Sequence, residues 1–483
     1  MGKFRRQDQQ HAQQELWLPA AAVVTGPQDG FYAKLNAVLA KLRFTESIHR
    51  LCEPHYKGGA QNGGRPPIDP VVLFKMLIVG FLEGLGSDRG IAARCADSLT
   101  IRRFLGYSLT EQTPDHSSFT VFRQRLPQSV FDAAHLEILK GLKAHGLLKG
   151  RDLGIDSSII EANASLRGLV RRNTEQSYRD YVRELAAKAG IDTNDAAAVA
   201  RFDRQREGRK TSNKDWHNPH DPDARVGRTK AGACDMVYKP QHIVDLGSGA
   251  IIAAEVRPGD AGDTQELSGR IMDAVETVED LHGEEHSEGA SRVRSVTADK
   301  GYHAAGELAV IQHETGARTV IGDAQAARRR LENLEPEMRT AVQRASRAVR
   351  SQSGKDLLRQ RGEKIERGFA HILESGGLRR TTLRGLPNIN KRYLCGILAF
   401  NLCLIMRKLT GWGTPKQTAA AGAAARALLC GLWRALRAVW EHHWPATGKS
   451  RSLLPHFSLL LTEIPKTLFF AGFLISPRFS TGS

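Results

Sequence analysis

From about residue 151 onward the apolar pattern of this chain changes period, and that change limits the folds open to it. Before it, apolar residues recur at helical spacing. After it, short β-type runs stand at 152–156, 236–245, 250–257 and 293–299, with a further one at 319–321. Leu246-Gly247-Ser248-Gly249 joins the second run to the third as the turn of a hairpin. Helical stretches at 263–281, 303–316 and 355–375 alternate with the remaining runs. A hairpin followed by alternating strand and helix is the order of a mixed α/β sheet with helices on its faces.

The 483 residues exceed one small core and suggest two or three domains. Residues 1–64 read as a flexible leader that ends in Gly58-Gly59-Ala60-Gln61-Asn62-Gly63-Gly64. An all-helical domain at 65–135 follows. Asp69 and Pro70 suit the start of a helix over 71–85, and Gly86-Ser87-Asp88 and Thr113-Pro114-Asp115 start two more. Three short helices with basic ends resemble a helix-turn-helix DNA-binding module, with Arg89, Arg102, Arg103, Arg123 and Arg125 as its phosphate contacts. The plainer reading is a helical domain with solvated arginines. A core at 151–411 carries a polar insertion at 166–235, and a basic tail at 412–483 holds an amphipathic helix over 423–440.

A net charge of +17 calls for a polyanionic partner, nucleic acid first, although an anionic membrane surface has the same sign. The six cysteines form no C-x-x-C pair, which excludes zinc-finger and disulfide-framework readings. No secretory signal follows Met1, and the apolar runs at 394–406 and 467–475 are too short to span a bilayer. The expectation is a cytoplasmic protein with no membrane partner.

Three carboxylates stand out. Asp156 and Asp299 each close an apolar run, and Glu366 lies on a helical stretch among Arg359, Arg361, Lys364 and Arg367. Two acids at strand ends and one on a basic helix are what a divalent-metal site for phosphodiester chemistry needs. Two hard cations about 4 Å apart activate the attacking oxygen and stabilise the leaving one. Each acid also has a structural reading. Asp156 caps a turn with Ser157 or Ser158, Asp299 makes an Asx turn, or Glu366 pairs with Arg359 or Lys364 at the surface. Against the last, Leu358, Ile365, Phe369 and Ile372 form a buried stripe with Glu366 at its edge. The segment from His217 to Asp223 reads as a polar loop, and Asp260 and Asp263 as turn and helix-cap residues.

Several stretches recur in one family in a shared order. They are Pro67-Ile68-Asp69-Pro70 through Thr113-Pro114-Asp115-His116, Gly154-Ile155-Asp156-Ser157-Ser158 and Asp221-Pro222-Asp223-Ala224-Arg225. Tyr238-Lys239, Asp299-Lys300-Gly301-Tyr302, Ile365-Glu366-Arg367-Gly368-Phe369, Leu383-Arg384-Gly385 and Asn401-Leu402 follow. In them, over roughly residues 60–411, the chain resembles the DDE-type transposases of bacterial insertion sequences. The resemblance implies a ribonuclease-H-like mixed sheet flanked by helices, behind an all-helical N-terminal domain that reads DNA. It puts the catalytic triad on Asp156, Asp299 and Glu366; on the two-metal chemistry above, Asp156 is expected to bridge two Mg²⁺ ions, with Asp299 and Glu366 completing one each and Mn²⁺ able to substitute. It implies cleavage at terminal inverted repeats, joining of 3′-hydroxyl ends to target DNA, and a homo-dimer or higher assembly on paired ends at the nucleoid.

Arg359, Arg361 and Arg384 are the DNA contacts expected in the core. Many relatives place a tyrosine seven before the glutamate, an arginine four before and a lysine seven after, where this chain has Arg359, Gly362 and Leu373. A decayed transposase that binds DNA as a repressor is the alternative, and a general nuclease of similar fold a third reading.

Overall fold

The computed structural model describes residues 29–56, 67–208, 212–229, 232–283 and 292–443. Its strands are β1 (Asp152–Ser157), β2 (Ile160–Glu161), β3 (Val170–Arg171), β4 (Trp216–His217), β5 (Arg225–Arg228), β6 (Cys234–Asp245), β7 (Ile251–Pro258), β8 (Ser295–Ala298) and β9 (Arg318–Ile321). The main sheet runs β7-β6-β1-β8-β9 in space. β6 is antiparallel to β7 and β1, whereas β1, β8 and β9 are parallel. The mixed sheet is therefore the one the pattern called for. β2 and β5 extend it along β6, and β3 and β4 form a separate ribbon within the insertion. Leu153, Gly154 and Ile155 are all buried, as a strand covered on both faces requires. The hairpin turn is held by Asp245, whose carboxylate accepts from Ser248 Oγ at 2.7 Å and from the Gly247 and Lys149 amides.

Seven helices precede the sheet: α1 (Asp29–Lys41), α2 (Phe44–Cys52), α3 (Pro70–Glu83), α4 (Asp88–Asp97), α5 (Leu99–Leu105), α6 (His116–Arg125) and α7 (Gln128–Ala144). The expected starts hold because their caps are local. The Asp69, Ser87 and Asp115 side chains accept from the amides of Val71, Gly90 and Ser117. The leader differs from its sequence reading. Residues 29–56 are helical, and Phe31, Tyr32, Leu35, Phe44 and Ile48 are buried in the common core. Their apolar faces find partners on α3, α5, α7 and α14, well away in sequence, so nothing local marks them as core. The glycine run lies outside the described residues.

The insertion contributes α8 (Tyr178–Lys188) and α9 (Ala196–Gln205), with Tyr178 and Tyr181 edge-on to Trp216 at 5.3 and 5.4 Å. Around the sheet lie α10 (Leu267–His282), α11 (Ala305–Thr315), α12 (Pro336–Arg350) and α13 (Gln352–Ala370), and a π-type turn at His371–Ser375 ends the last. α14 (Leu386–Thr410) packs between β7 and the helices α3 and α7. Its N-terminus is capped by Asp221 and Asp223, which accept from the Gly385 and Leu386 amides. Its Asn401, fully buried, bonds both the N–H and the C=O of Ile251 and so clips β7 in place.

Because α14 touches both, the helical block and the sheet share one core, and the described residues up to Thr418 form one unit. α15 (Pro415–His443) supplies the helix expected in the tail. Together α14 and most of α15 make a helical stretch longer than the sequence reading allowed, Leu386–Leu436, long enough by composition to cross a membrane. With 67% of its most apolar window buried inside the protein, core packing accounts for it.

Candidate active site

The register of β1 and β8 decides the geometry. Leu153 lies opposite Val296 and Gly154 opposite Thr297. Carried two places further, that register sets Asp156 beside Asp299, at the C-terminal ends of neighbouring strands about 4.8 Å apart. Asp156 accepts from the Ser157 amide at 2.8 Å, and Asp299 caps the short turn Lys300–Tyr302 through the Lys300 amide at 2.8 Å. The turn-capping reading of each acid is therefore also true, and it fixes the carboxylates at the sheet edge. Burial raises the Asp156 carboxyl above the usual carboxylate range. Arg361 and the Ser157 amide pull it back, while the charges of Asp299 and Asp263 add to the rise.

α13 crosses this edge. Ile365 packs against the backbone of Gly154, where a side-chain carbon would lie 3.0 Å from Ile365 Cδ1 and 2.6 Å from Leu246 Cδ2. One turn earlier, Arg361 Nη2 donates to Asp156 Oδ2 at 2.7 Å. Beyond the glutamate, Phe369 stacks on His242 with ring centres 4.1 Å apart, and His242 lies opposite Asp156 in the β1–β6 pair. Glu366 thus rides on a helix fixed to β1, but its own carboxylate is exposed, about 100° around the helix from Ile365.

The structure brings Asp156 and Asp299 together and leaves Glu366 on the adjoining helix. Among the described residues no three acids, histidines or cysteines stand close enough to hold a metal ion. Two adjoining hard-oxygen donors fit a divalent cation, and a cationic guanidinium already lies against one of them. Of the family positions that depart, Gly362 faces open space, and Leu373 is buried where relatives place a lysine.

A third carboxylate reaches the site unannounced. Asp263, read as a helix cap, precedes the start of α10 and accepts from Ser157 Oγ at 3.0 Å and Lys239 Nζ at 2.7 Å. The contact joins residues from three separate segments, so no local pattern could show it. Tyr302 is buried beside them, its hydroxyl accepting from Gln241 Nε2, and burial pushes its phenol far up.

The expected DNA contacts divide. Arg89, Arg103, Arg125, Arg359 and Arg384 are exposed. Arg125 lies over the Tyr56 ring, Arg359 pairs with Asp356, and Arg384 donates to the Asn163 carbonyl. Arg123, expected at the surface, is 3% exposed and pairs with Asp88 at 2.5 Å, because α4 packs on that side of α6. Arg102 is spent on the carbonyls of Ala96, Ser108, Leu109 and Glu111, which fasten the loop after α5. Arg361 is held by Asp156.

Comparison with known families bears on the class of the chain. A family model described as Transposase domain (DUF772) matches residues 24–125, and one described as Transposase DDE domain matches residues 212–402. The second spans Asp299 and Glu366 and begins after Asp156. No curated protein and no solved structure gives a significant match. The mixed sheet with its helices is ribonuclease-H-like, in keeping with the second model. Matched in order by both models, which together take in more than half of its length, the chain belongs to the insertion-sequence transposases of the DDE type.

Proposed function

We propose that this transposase binds the terminal inverted repeats of its element, cuts DNA at the element ends and joins the freed 3′-hydroxyls to target DNA, using Asp156, Asp299 and Glu366. The observation that carries the reading is the placing of Asp156 and Asp299 on neighbouring parallel strand ends. Asp156 and Asp299 offer the oxygens that would hold Mg²⁺ or Mn²⁺, and Glu366, with no partner among the described residues, has its charge free to join them. Divalent cations bound there supply charge to the attacking and leaving oxygens of the phosphodiester.

The residues then act in plain ways. Arg361 neutralises Asp156, and a cation held there would take over that charge. Asp263 anchors Ser157 and Lys239 at the rim. Water attack on the end phosphodiester leaves a 3′-hydroxyl on the element. In joining, that 3′-oxygen bonds to a target phosphorus and gives its proton to solvent, while the bond from that phosphorus to the target strand's own 3′-oxygen breaks and the departing oxygen takes a proton from solvent to become a 3′-hydroxyl. No side chain is phosphorylated on this route. Tyr302, buried with a raised phenol pKa, is unsuited to be a nucleophile. Arg89, Arg103, Arg125, Arg359 and Arg384 are the surface cations offered to DNA, and paired ends call for a homo-dimer or higher assembly.

The repressor reading draws on one feature, the hold of Arg361 on Asp156 while Glu366 points to solvent. Cleavage of a duplex carrying the inverted repeat, in Mg²⁺ or Mn²⁺, tests both. The native protein cuts, and Asp156→Asn and Asp299→Asn bind normally but lose cleavage by more than about a thousandfold. DNA binding without metal-dependent cutting by the native protein favours the repressor. Undiminished cutting by Asp299→Asn removes the proposed site.

A further inference from the structure

At the other end of the parallel strands, three arginines meet in one cleft. Arg318 opens β9, and Arg344, Arg347, Ala348 and Ser351 form one stripe of α12 and its end, at helical spacings of three, four and seven. The opposing wall is the end of α11 with Gly316 and Ala317, small residues that leave a cleft of about 410 Å³. Ala341, Val342, Ala345 and Ala348 are buried along α12, which fixes how the helix is turned against β9 and α11.

Among the described residues no acid lines this cleft. The side chains of Arg344 and Arg347 are exposed and have no ion-pair or hydrogen-bond partner among the described residues, and there Arg318 Nη1 donates only to the neutral Ser353 hydroxyl at 3.0 Å. Glu314, nearby on α11, is taken by His313 Nδ1 at 2.9 Å. Three guanidiniums around one hollow repel one another unless an anion lies between them. Their planar forks match phosphate oxygens two at a time.

The distance to the carboxylates suits a long polyanion. Arg318 is opposite Ser295 in the β8–β9 register, and Asp299 follows β8 at its far end. Four residues of strand separate the two levels, about 13 Å along the sheet. One turn of duplex DNA, about 34 Å, spans that interval easily.

We infer that the cleft of Arg318, Arg344 and Arg347 grips the phosphate backbone of the DNA duplex outside the phosphodiester being cut. The inference rests on DNA being the substrate and adds to it a second hold on the same molecule, at the outer edge of the sheet. Arg344 and Arg347 each take one phosphate, and the cleft contributes affinity and placement but no chemistry.

The test is the salt dependence of duplex binding by the full chain. Each phosphate contact contributes about 0.9 to the slope of log affinity against log salt. Arg344→Ala with Arg347→Ala therefore lowers the slope by about 1.8. The paired lysine variants keep the slope and bind several-fold more weakly. Arg201→Ala with Arg204→Ala, which removes the same charge from exposed positions on α9, leaves the slope unchanged.

An unchanged slope in the Arg344/Arg347 variant, with DNA bound normally by the native protein, overturns the cleft and leaves the proposed function standing. Equal losses in both alanine pairs overturn it too, because net charge then explains the effect. If inorganic pyrophosphate raises the melting temperature of the native protein but not of the variant, while the DNA slope stays put, the cleft serves a small polyphosphate and the inference fails. No duplex binding by the native protein at any salt brings down the functional reading together with the cleft. Melting temperature confirms that each variant is folded.

Discussion

Replacing Gly154 by alanine tests how tightly the site depends on the seat of α13. The added carbon would lie 2.6 Å from Leu246 Cδ2 and 3.0 Å from Ile365 Cδ1. Ordinary carbon contacts need about 3.5–4.0 Å, so about 1 Å must be found on the Leu246 side and somewhat less on the side of Ile365. Crowding of this kind in a packed core costs about 1–3 kcal/mol. Ile365 precedes Glu366 and follows Arg361 by one turn, so any recoil of α13 carries both away from Asp156. A misplacement near 1 Å costs about 100-fold in rate.

Gly154→Ala should therefore unfold at lower urea and cleave inverted-repeat DNA about 100-fold more slowly in single turnover at saturating protein. Its DNA affinity should be unchanged, since the position is buried. Adding Leu246→Ala opens one wall only, so stability should recover further than cleavage. Loss of stability with cleavage at the native rate would refute the argument that α13 positions the chemistry.

Two further outcomes follow from the charges. Burial holds His242 down to about 3 and His135 to about 4, both below the free imidazole value of 6.5, so each is neutral in the fold. The unfolded chain takes up those protons first as pH falls, so this stability is complete above 6.5 and is lost below it. Each histidine removes about 1.4 kcal/mol per pH unit down to about pH 4. Urea unfolding from pH 7 to 5 reads the effect, and a flat profile would contradict it. At the site, Arg361→Gln frees Asp156 of its guanidinium, so Mn²⁺ binding without DNA, followed by electron paramagnetic resonance, should tighten about tenfold. Equal or weaker binding would show that Arg361 does not compete with a cation there.

Much of the fold was legible because the signals are local. Asp69, Ser87 and Asp115 each cap a helix from within three residues, and the turn after β6 is closed by its own Asp245. The acids were legible for a related reason, since Asp156 and Asp299 each end an apolar run at a polar turn. Of the expected stripe, Ile365 and Phe369 are buried on α13 and Ile372 in the turn that ends it, whereas Leu358 is only half-buried and its neighbour Leu357 takes the inside place. Arg123 misled because its helix shows only a basic end. The Asp88 that draws it inside is on another helix, 35 residues earlier.

Sequence alone therefore determined the capped helices, the main strands and their order, and the identity of two strand-end acids, since backbone preference and apolar period act over a few residues. Tertiary structure decided the rest. It made a core helix pair out of residues 29–56, set Asp156 beside Asp299 through a parallel register, brought Asp263 and Lys239 to the same edge and turned Arg361 onto Asp156. Those outcomes depend on contacts between segments far apart in the chain. Charge and burial act through space, and a residue's neighbours in space are known only once the chain has folded.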